Sequence, residues 1–207
     1  YTAKQGDVSL EWYFAEQSIA NMAVFYKRIS NQITTSWEPG QDIGVPGYLF
    51  NVMRPINGDY AKVHGLEAGL QHFWENGLGF RAQYTRNWSK SFVAGEERPL
   101  EGIAPSVYSL GLMYEKGPWS ISTTADYSDG FVTATNVLGA GYNEQADEIT
   151  WLTASISYEI NDIFSVSLQG QNLLDEAQTY SINGNPLLSQ GYYRYGRSFT
   201  LGFSARF

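Results

Sequence analysis

The feature that most constrains this chain is a strict alternation over its last fifteen residues. Tyr193, Tyr195, Phe199, Leu201, Phe203, Ala205 and Phe207 occupy odd positions, with Arg197 the one polar residue among them. The even positions carry Arg194, Gly196, Ser198, Thr200, Gly202, Ser204 and Arg206, none of them apolar. A period of two places successive side chains on opposite faces of a strand. Strands of water-soluble domains run to about five or six residues, so the spacing predicts an unusually long strand over 193–207, greasy on one face and wet on the other.

The pattern recurs upstream. Val8, Leu10, Trp12 and Phe14 share a face, as do Leu66, Ala68 and Leu70, and Phe80, Ala82, Tyr84 and Trp88. Further along, Tyr108 to Tyr114, Trp119 to Tyr127, Leu152 to Ile160 and Phe164 to Leu168 repeat it. Segment 19–30 is mixed on both faces. Short connections fall at Glu16-Gln17, Glu75-Asn76-Gly77, Lys116-Gly117-Pro118 and Asn161-Asp162, with residues suited to hairpin turns. Long loops are expected at about 31–49, 93–104, 131–147 and 175–191. About nine strands in up-and-down order, with short turns at one end and long loops at the other, describe an all-β, antiparallel transmembrane β-barrel. A soluble β-sandwich also alternates, but strand length and the loop rhythm argue against it.

Composition closes off other classes. Thirteen Lys and Arg against 21 Asp and Glu give a net charge of −8, with no basic run for a nucleic-acid backbone. Cysteine is absent, which excludes disulfides, thiolate metal sites and a cysteine nucleophile. No apolar run is long enough for a transmembrane helix, and YTAKQGDVSL has no signal-peptide character. His64 and His72 are eight residues apart, about 26 Å along a strand, too far to share a metal. No nucleophile motif or phosphate loop is visible, so no enzyme, resident metal or cofactor is expected. Bacterial single-chain barrels have even strand numbers, so nine strands suggest part of a larger barrel, with residues 8–14 and 193–207 at its two open edges.

Four stretches carry a family resemblance. Glu11-Trp12-Tyr13-Phe14 precedes Val24-Phe25-Tyr26-Lys27; Asn57-Gly58 precedes Val63-His64-Gly65-Leu66-Glu67. Tyr114-Glu115-Lys116-Gly117-Pro118 follows, then Gln171-Asn172-Leu173-Leu174-Asp175-Glu176 and Tyr195-Gly196-Arg197-Ser198-Phe199-Thr200-Leu201-Gly202, ending on Phe207. In this order the set resembles the C-terminal part of a TonB-dependent outer-membrane receptor, most closely the branch common in Caulobacter- and Xanthomonas-like bacteria, many of which take up carbohydrates.

The resemblance implies a bacterial outer-membrane location and a barrel of about 22 strands around a plug. Residues 1–207 would then be the last nine strands, with about thirteen more, the plug domain and the TonB box outside this chain. It implies energised import of a ligand, a carbohydrate or oligosaccharide first. The alternatives are a ferric siderophore or other metal chelate, or a passive porin-like barrel. The implied partners are outer-membrane lipid, the remaining barrel and plug, the TonB complex and the barrel-assembly machinery, with Phe207 as assembly signal. The aromatic residues set among polar loop residues, Trp37, Tyr48, Phe131, Tyr142 and Tyr180, are the candidate ligand contacts, because rings stack on sugars or planar ligands. Asn172 and Asp175 read better as a strand-end turn than as ligand contacts. Arg194 and Arg206 are expected to pair with Glu67 or Glu159 in the lumen, and Arg197 to snorkel or sit beside a bulge at Gly196.

Overall fold

The computed structural model describes every residue except Ala140 and Phe207. The strands run β1 (Thr2–Ala15), β2 (Ser18–Ser30), β3 (Ile33–Gln41), β4 (Phe50–Asn57), β5 (Tyr60–Phe73), β6 (Leu78–Val93), β7 (Glu96–Arg98) and β8 (Ser106–Lys116). They continue β9 (Trp119–Ser128), β10 (Phe131–Ala134), β11 (Glu144–Ala146), β12 (Ile149–Glu159), β13 (Phe164–Gln171), β14 (Ala177–Ile182), β15 (Asn185–Arg194) and β16 (Ser198–Ala205). Nine of them form one antiparallel wall in the order β1-β2-β5-β6-β8-β9-β12-β13-β16. Among the described residues β1 and β16 stand at opposite ends of this path and do not pair with each other.

The short connections fall where expected, and local chemistry makes them. Gln17 and Gly77 take positive φ (56° and 91°). Asn76 Oδ1 accepts the Leu78 N–H at 3.0 Å, and Asn161 Oδ1 accepts those of Ile163 and Phe164 at 3.0 and 2.9 Å. Each is an Asx turn that ends one strand and starts the next.

Cross-strand register sorts the side chains into two faces. One lateral row reads Trp12, Ala20, Leu70, Ala82, Leu110, Ala125 and Leu152, across seven neighbouring strands. The row on the other face one residue away reads Glu11, Asn21, Gly69, Gln83, Ser109 and Asp126. The apolar face is bare: Phe203 is 68% exposed, and the only buried apolar side chains among the described residues are Ala61, Val63, Val93, Ala146 and Ile182. A sandwich would bury this face in a core; here it is left for lipid. Around the short turns His72 packs with Phe14, Trp74 and Phe80, an aromatic girdle. His72 Nδ1 lies 2.8 Å from Ser18 Oγ.

The mixed pattern of 19–30 has a tertiary cause. β2 is a full strand, but its inward Phe25 and Ile29, with Val63, lie under Leu100 and Ile103 of the 99–105 segment, around a hollow of about 440 Å³. A loop folded onto the wet face makes part of that face apolar. Gly65 serves the same spot, because a Cβ there would collide with the Phe25 ring and the Arg86 carbonyl.

Three expectations are corrected. The strand over 193–207 is two strands: β15 ends at Arg194, Gly196 turns with φ 74°, and β16 begins at Ser198. Three of the four long connections hold strand pairs of their own, because β3–β4, β10–β11 and β14–β15 pair their backbone groups as hairpins. Arg194 does not reach the lumen; it pairs with Asp175, beyond the end of β13. Arg206 forms no ion pair with Glu67 or Glu159 among the described residues. Phe207 lies outside the described residues.

Asn172 explains the turn at Gly196. It is buried with φ 50°. Its Nδ2 donates to the carbonyls of Glu176 (3.0 Å) and Gly196 (3.1 Å), and its Oδ1 accepts the Glu176 N–H (2.9 Å). Arg197 Nε donates to the Leu173 carbonyl at 2.8 Å, which fixes that side chain at the loop end of the wall rather than in hydrocarbon. The Arg194 guanidinium donates to Asp175 and holds its carboxyl below the usual carboxylate range. A lowered pKa means this pairing is present at neutral pH and is lost as pH falls through that lowered value.

Substitutions test these faces and turns in the intact, membrane-inserted protein. Leu110→Arg is expected to cost about 2–4 kcal/mol in urea unfolding from lipid vesicles, and Ser109→Arg, on the other face, within about 0.5 kcal/mol of wild type. Asn172→Ala strands three backbone groups and is expected to cost about 1–3 kcal/mol, read as faster proteolytic nicking within 174–196.

Candidate functional site

Among the described residues, two hollows at the long-loop end hold expected aromatic contacts. The first lies on the sheet β10-β11-β14-β15. Its cross-strand row runs Phe131, Ala146, Tyr180, Gly191, so two expected aromatic contacts share a face with small residues beside them. Gly191 is required here: a Cβ would sit 2.9 Å from Tyr193 Cε2 and 3.4 Å from Tyr180 Cδ2. The Tyr180 and Tyr193 rings meet edge-on, centroids 5.7 Å apart at 90°. With Glu144, Gln190 and Tyr195 they line about 310 Å³. Thr133 Oγ1 donates to the Glu144 carboxylate at 2.6 Å and holds it in place.

The second hollow, about 290 Å³, lies where three loops meet. Trp37 comes from the β3–β4 hairpin, Glu96 to Pro99 from the β6–β8 connection, and Thr135, Asn136, Gly141 and Asn143 from the β9–β12 connection. The Glu101 carboxylate accepts both the N–H (2.8 Å) and the hydroxyl (2.6 Å) of Thr135, tying two of these loops together. Asparagine side chains tie the rest: Asn143 to the Asn136 N–H (3.2 Å), Asn136 to the Gly141 N–H (2.9 Å), and Asn183 to the Asn143 N–H (3.0 Å) and the Gly141 carbonyl (2.9 Å). These amides close loops rather than wait for a ligand.

The five expected contacts therefore divide. Phe131 and Tyr180 share one sheet face and Trp37 lines the other hollow. Tyr142 is exposed between Gly141 and Asn143, and Tyr48 is exposed near the tip of the β3–β4 hairpin. Tyr193 and Tyr195, in phase with the wall strand in the sequence, belong to the site instead. The signal was present, because Gly191 and Gly196 bracket Tyr192-Tyr193-Arg194-Tyr195 inside an otherwise regular alternation.

The charge of these loops is one-sided. Segments 31–59, 94–105, 129–148 and 172–197 together hold twelve carboxylates and four guanidinium groups. All four cations are engaged within the protein: Arg54 with Glu38 (2.7 Å), Arg98 with Glu96 (3.6 Å), Arg194 with Asp175, and Arg197 with the Leu173 carbonyl. The tyrosines are not: Tyr192, Tyr193 and Tyr195 are 64%, 53% and 72% exposed.

Comparison with known proteins agrees with this architecture. The family described as "TonB dependent receptor-like, beta-barrel" matches residues 1–173. No curated protein sequence matches significantly. Among solved structures, the copper transporter OprC superposes with a TM-score of 0.73 at 18% identity, over 99% of this chain and 31% of that one. A mutant of the ferric enterobactin receptor PfeA from Pseudomonas aeruginosa gives 0.69 at 15% identity, over 99% and 31%. The FrpB iron transporter from Neisseria meningitidis gives 0.69 at 16% identity, over 99% and 30%. This chain thus spans just under a third of the length of the receptors it matches. A bare apolar belt, a wet inner face, short turns at one end, hairpin loops at the other and a family match over most of its length lead to one assignment: the chain belongs to the TonB-dependent receptor β-barrel family of the bacterial outer membrane.

Proposed function

We propose that this chain forms nine strands in the wall of a plugged, TonB-driven importer, and that its loops take part in capturing a neutral, polyhydroxylated ligand, a carbohydrate or oligosaccharide. In this reading the remaining strands and the plug come from the rest of the receptor. Ligand bound at the outer loops precedes a plug rearrangement driven through TonB by inner-membrane energy. The family is one of receptors and transporters, and the loop chemistry offers binding groups rather than a nucleophile with its base.

The observation that carries the ligand class is the contrast within the loops. Every loop guanidinium is already tied to a protein group, while the Tyr193 and Tyr195 rings, more than half exposed, line a hollow with a fixed carboxylate and an amide. An anionic ferric chelate needs cations free to meet it. A sugar needs a ring face for its C–H surface and a few acceptors for its hydroxyls, which Tyr180, Tyr193, Glu144 and Gln190 supply. The resemblance of the sequence motifs to a branch rich in carbohydrate importers supports the same class. The structural neighbours favour a second reading, a metal or metal-chelate ligand, because they are a copper transporter, a ferric enterobactin receptor and an iron transporter.

Titration calorimetry on the full receptor distinguishes the two. Under the first reading an oligosaccharide panel yields a binder, and Tyr193→Ala or Tyr180→Ala weakens it about tenfold, near 1.4 kcal/mol. Tight binding of a ferric catecholate that is indifferent to both substitutions, with no oligosaccharide bound, supports the second reading instead.

A further inference from the structure

The outward face carries a feature that ligand import does not use. Lys4 on β1 is the cross-strand partner of Arg28 on β2, Arg28 of Lys62 on β5, and Lys62 of Lys90 on β6. Four of the thirteen cations of an acidic chain thus stand side by side in one lateral row. They share the apolar face with Leu10, Met22, Ala68 and Tyr84, not the wet one. Like charges directly opposite one another destabilise a sheet unless something neutralises them. Lys90 has Glu97 at 2.8 Å. Lys4, Arg28 and Lys62 form no ion pair among the described residues; Asp7, the nearest carboxylate on β1, points to the other face.

The height of the row is as informative as its charge. Its members stand ten to twelve residues from the short-turn ends of their strands. At about 3.3 Å per residue and a tilt of about 40°, that is roughly 25–30 Å above the turns, the upper edge of an apolar belt about 25 Å tall. Aromatic layers bracket it. Tyr26, His64 and Trp88 form the row beneath, and the stacked Tyr60–Phe92 pair lies above. Arg28 and Lys62 both lie over the Tyr60 ring, 4.4 and 5.1 Å from its centroid, which holds two of the cations against the wall.

We infer that this row is a lipid site, taking the phosphate-bearing headgroup of a lipid in the outer leaflet. A phosphate at this level satisfies three otherwise unneutralised cations at once, and its acyl chains run down the Val8, Leu10, Val24 and Leu66 surface directly below. A soluble anion has no use for that apolar surface. The occupant is therefore an amphiphile with a multiply charged phosphorylated head, and the cations grip it at the rim of the wall. The inference is independent of the imported ligand and rests only on the wall and its place in the membrane.

The test is native mass spectrometry of the full receptor in detergent, titrated with a diphosphorylated glucosamine-disaccharide lipid, its dephosphorylated form, or inorganic phosphate. Wild type is expected to retain the phosphorylated lipid and to hold the dephosphorylated form at least tenfold more weakly. The Lys4→Gln/Arg28→Gln/Lys62→Gln triple variant should lose retention at least tenfold, while Arg54→Gln, which removes a loop cation, changes nothing. Heat-modifiable migration on gels checks folding; if the triple variant fails it, Lys4→Gln and Lys62→Gln singly are expected to show about threefold losses. Equal retention by wild type and variants overturns the site. Displacement of the lipid by inorganic phosphate alone, or equal retention of the dephosphorylated form, overturns the lipid as its occupant.

Discussion

The whole structure depends on pairing backbone polar groups where no water can reach them. In hydrocarbon each unpaired N–H or C=O costs several kcal/mol, so the wall must be a continuous hydrogen-bonded ladder. The nine-strand path from β1 to β16 is that ladder, and its register does the rest. Once Trp12, Leu70, Leu110 and Leu152 align in one row, the alternate rows of Ser, Gln, Asn and acidic residues have to face inward. A slip of one residue on any strand would exchange the two faces. The short turns, closed by Gln17, Asn76-Gly77, Gly117 and Asn161, set that register strand by strand.

The same demand shapes the loop end, where water replaces lipid but segments of twelve or more residues still have to be ordered. The answer is more pairing: the β3–β4 hairpin, the β10-β11-β14-β15 sheet, and side chains that stand in for ladder bonds. Asn172 joins the end of β13 to the Glu176 and Gly196 backbone, Glu101 joins two loops through Thr135, and Asn183 joins two more. Such clasps turn long connections into a rigid rim. The rim presents tyrosines because its clasping asparagines and its cations are already occupied, and this division gives the loops their chemical character.

How much of this was legible in the sequence follows from how local each cause is. Eight of the nine wall strands and the four short turns were legible, because period-two alternation and turn residues depend on near neighbours alone. Strand β2 was obscure because a distant segment, Leu100 to Ile103, covers its inner face and erases the alternation. The break at Gly196 was hidden for a related reason: Tyr193 and Tyr195 fall in phase with Phe199 and Leu201 although they serve another sheet. Of the candidate contacts, Phe131 and Tyr180 share a face only because β11, carrying Ala146, lies between their strands, a long-range arrangement with no local signature. The cationic row was invisible for the same reason, since Lys4, Arg28, Lys62 and Lys90 become neighbours only once four strands are in register.

On this reading the nine strands are an arc of a larger closed wall. The most direct measurement is a structure of the intact receptor in a lipid nanodisc, read at the two edge strands. The backbone groups of Val8–Phe14 on β1 and Phe199–Phe203 on β16 are each expected to hydrogen-bond to a strand from outside residues 1–207. Direct pairing of β1 with β16 would contradict it and make this chain a small barrel closed on itself.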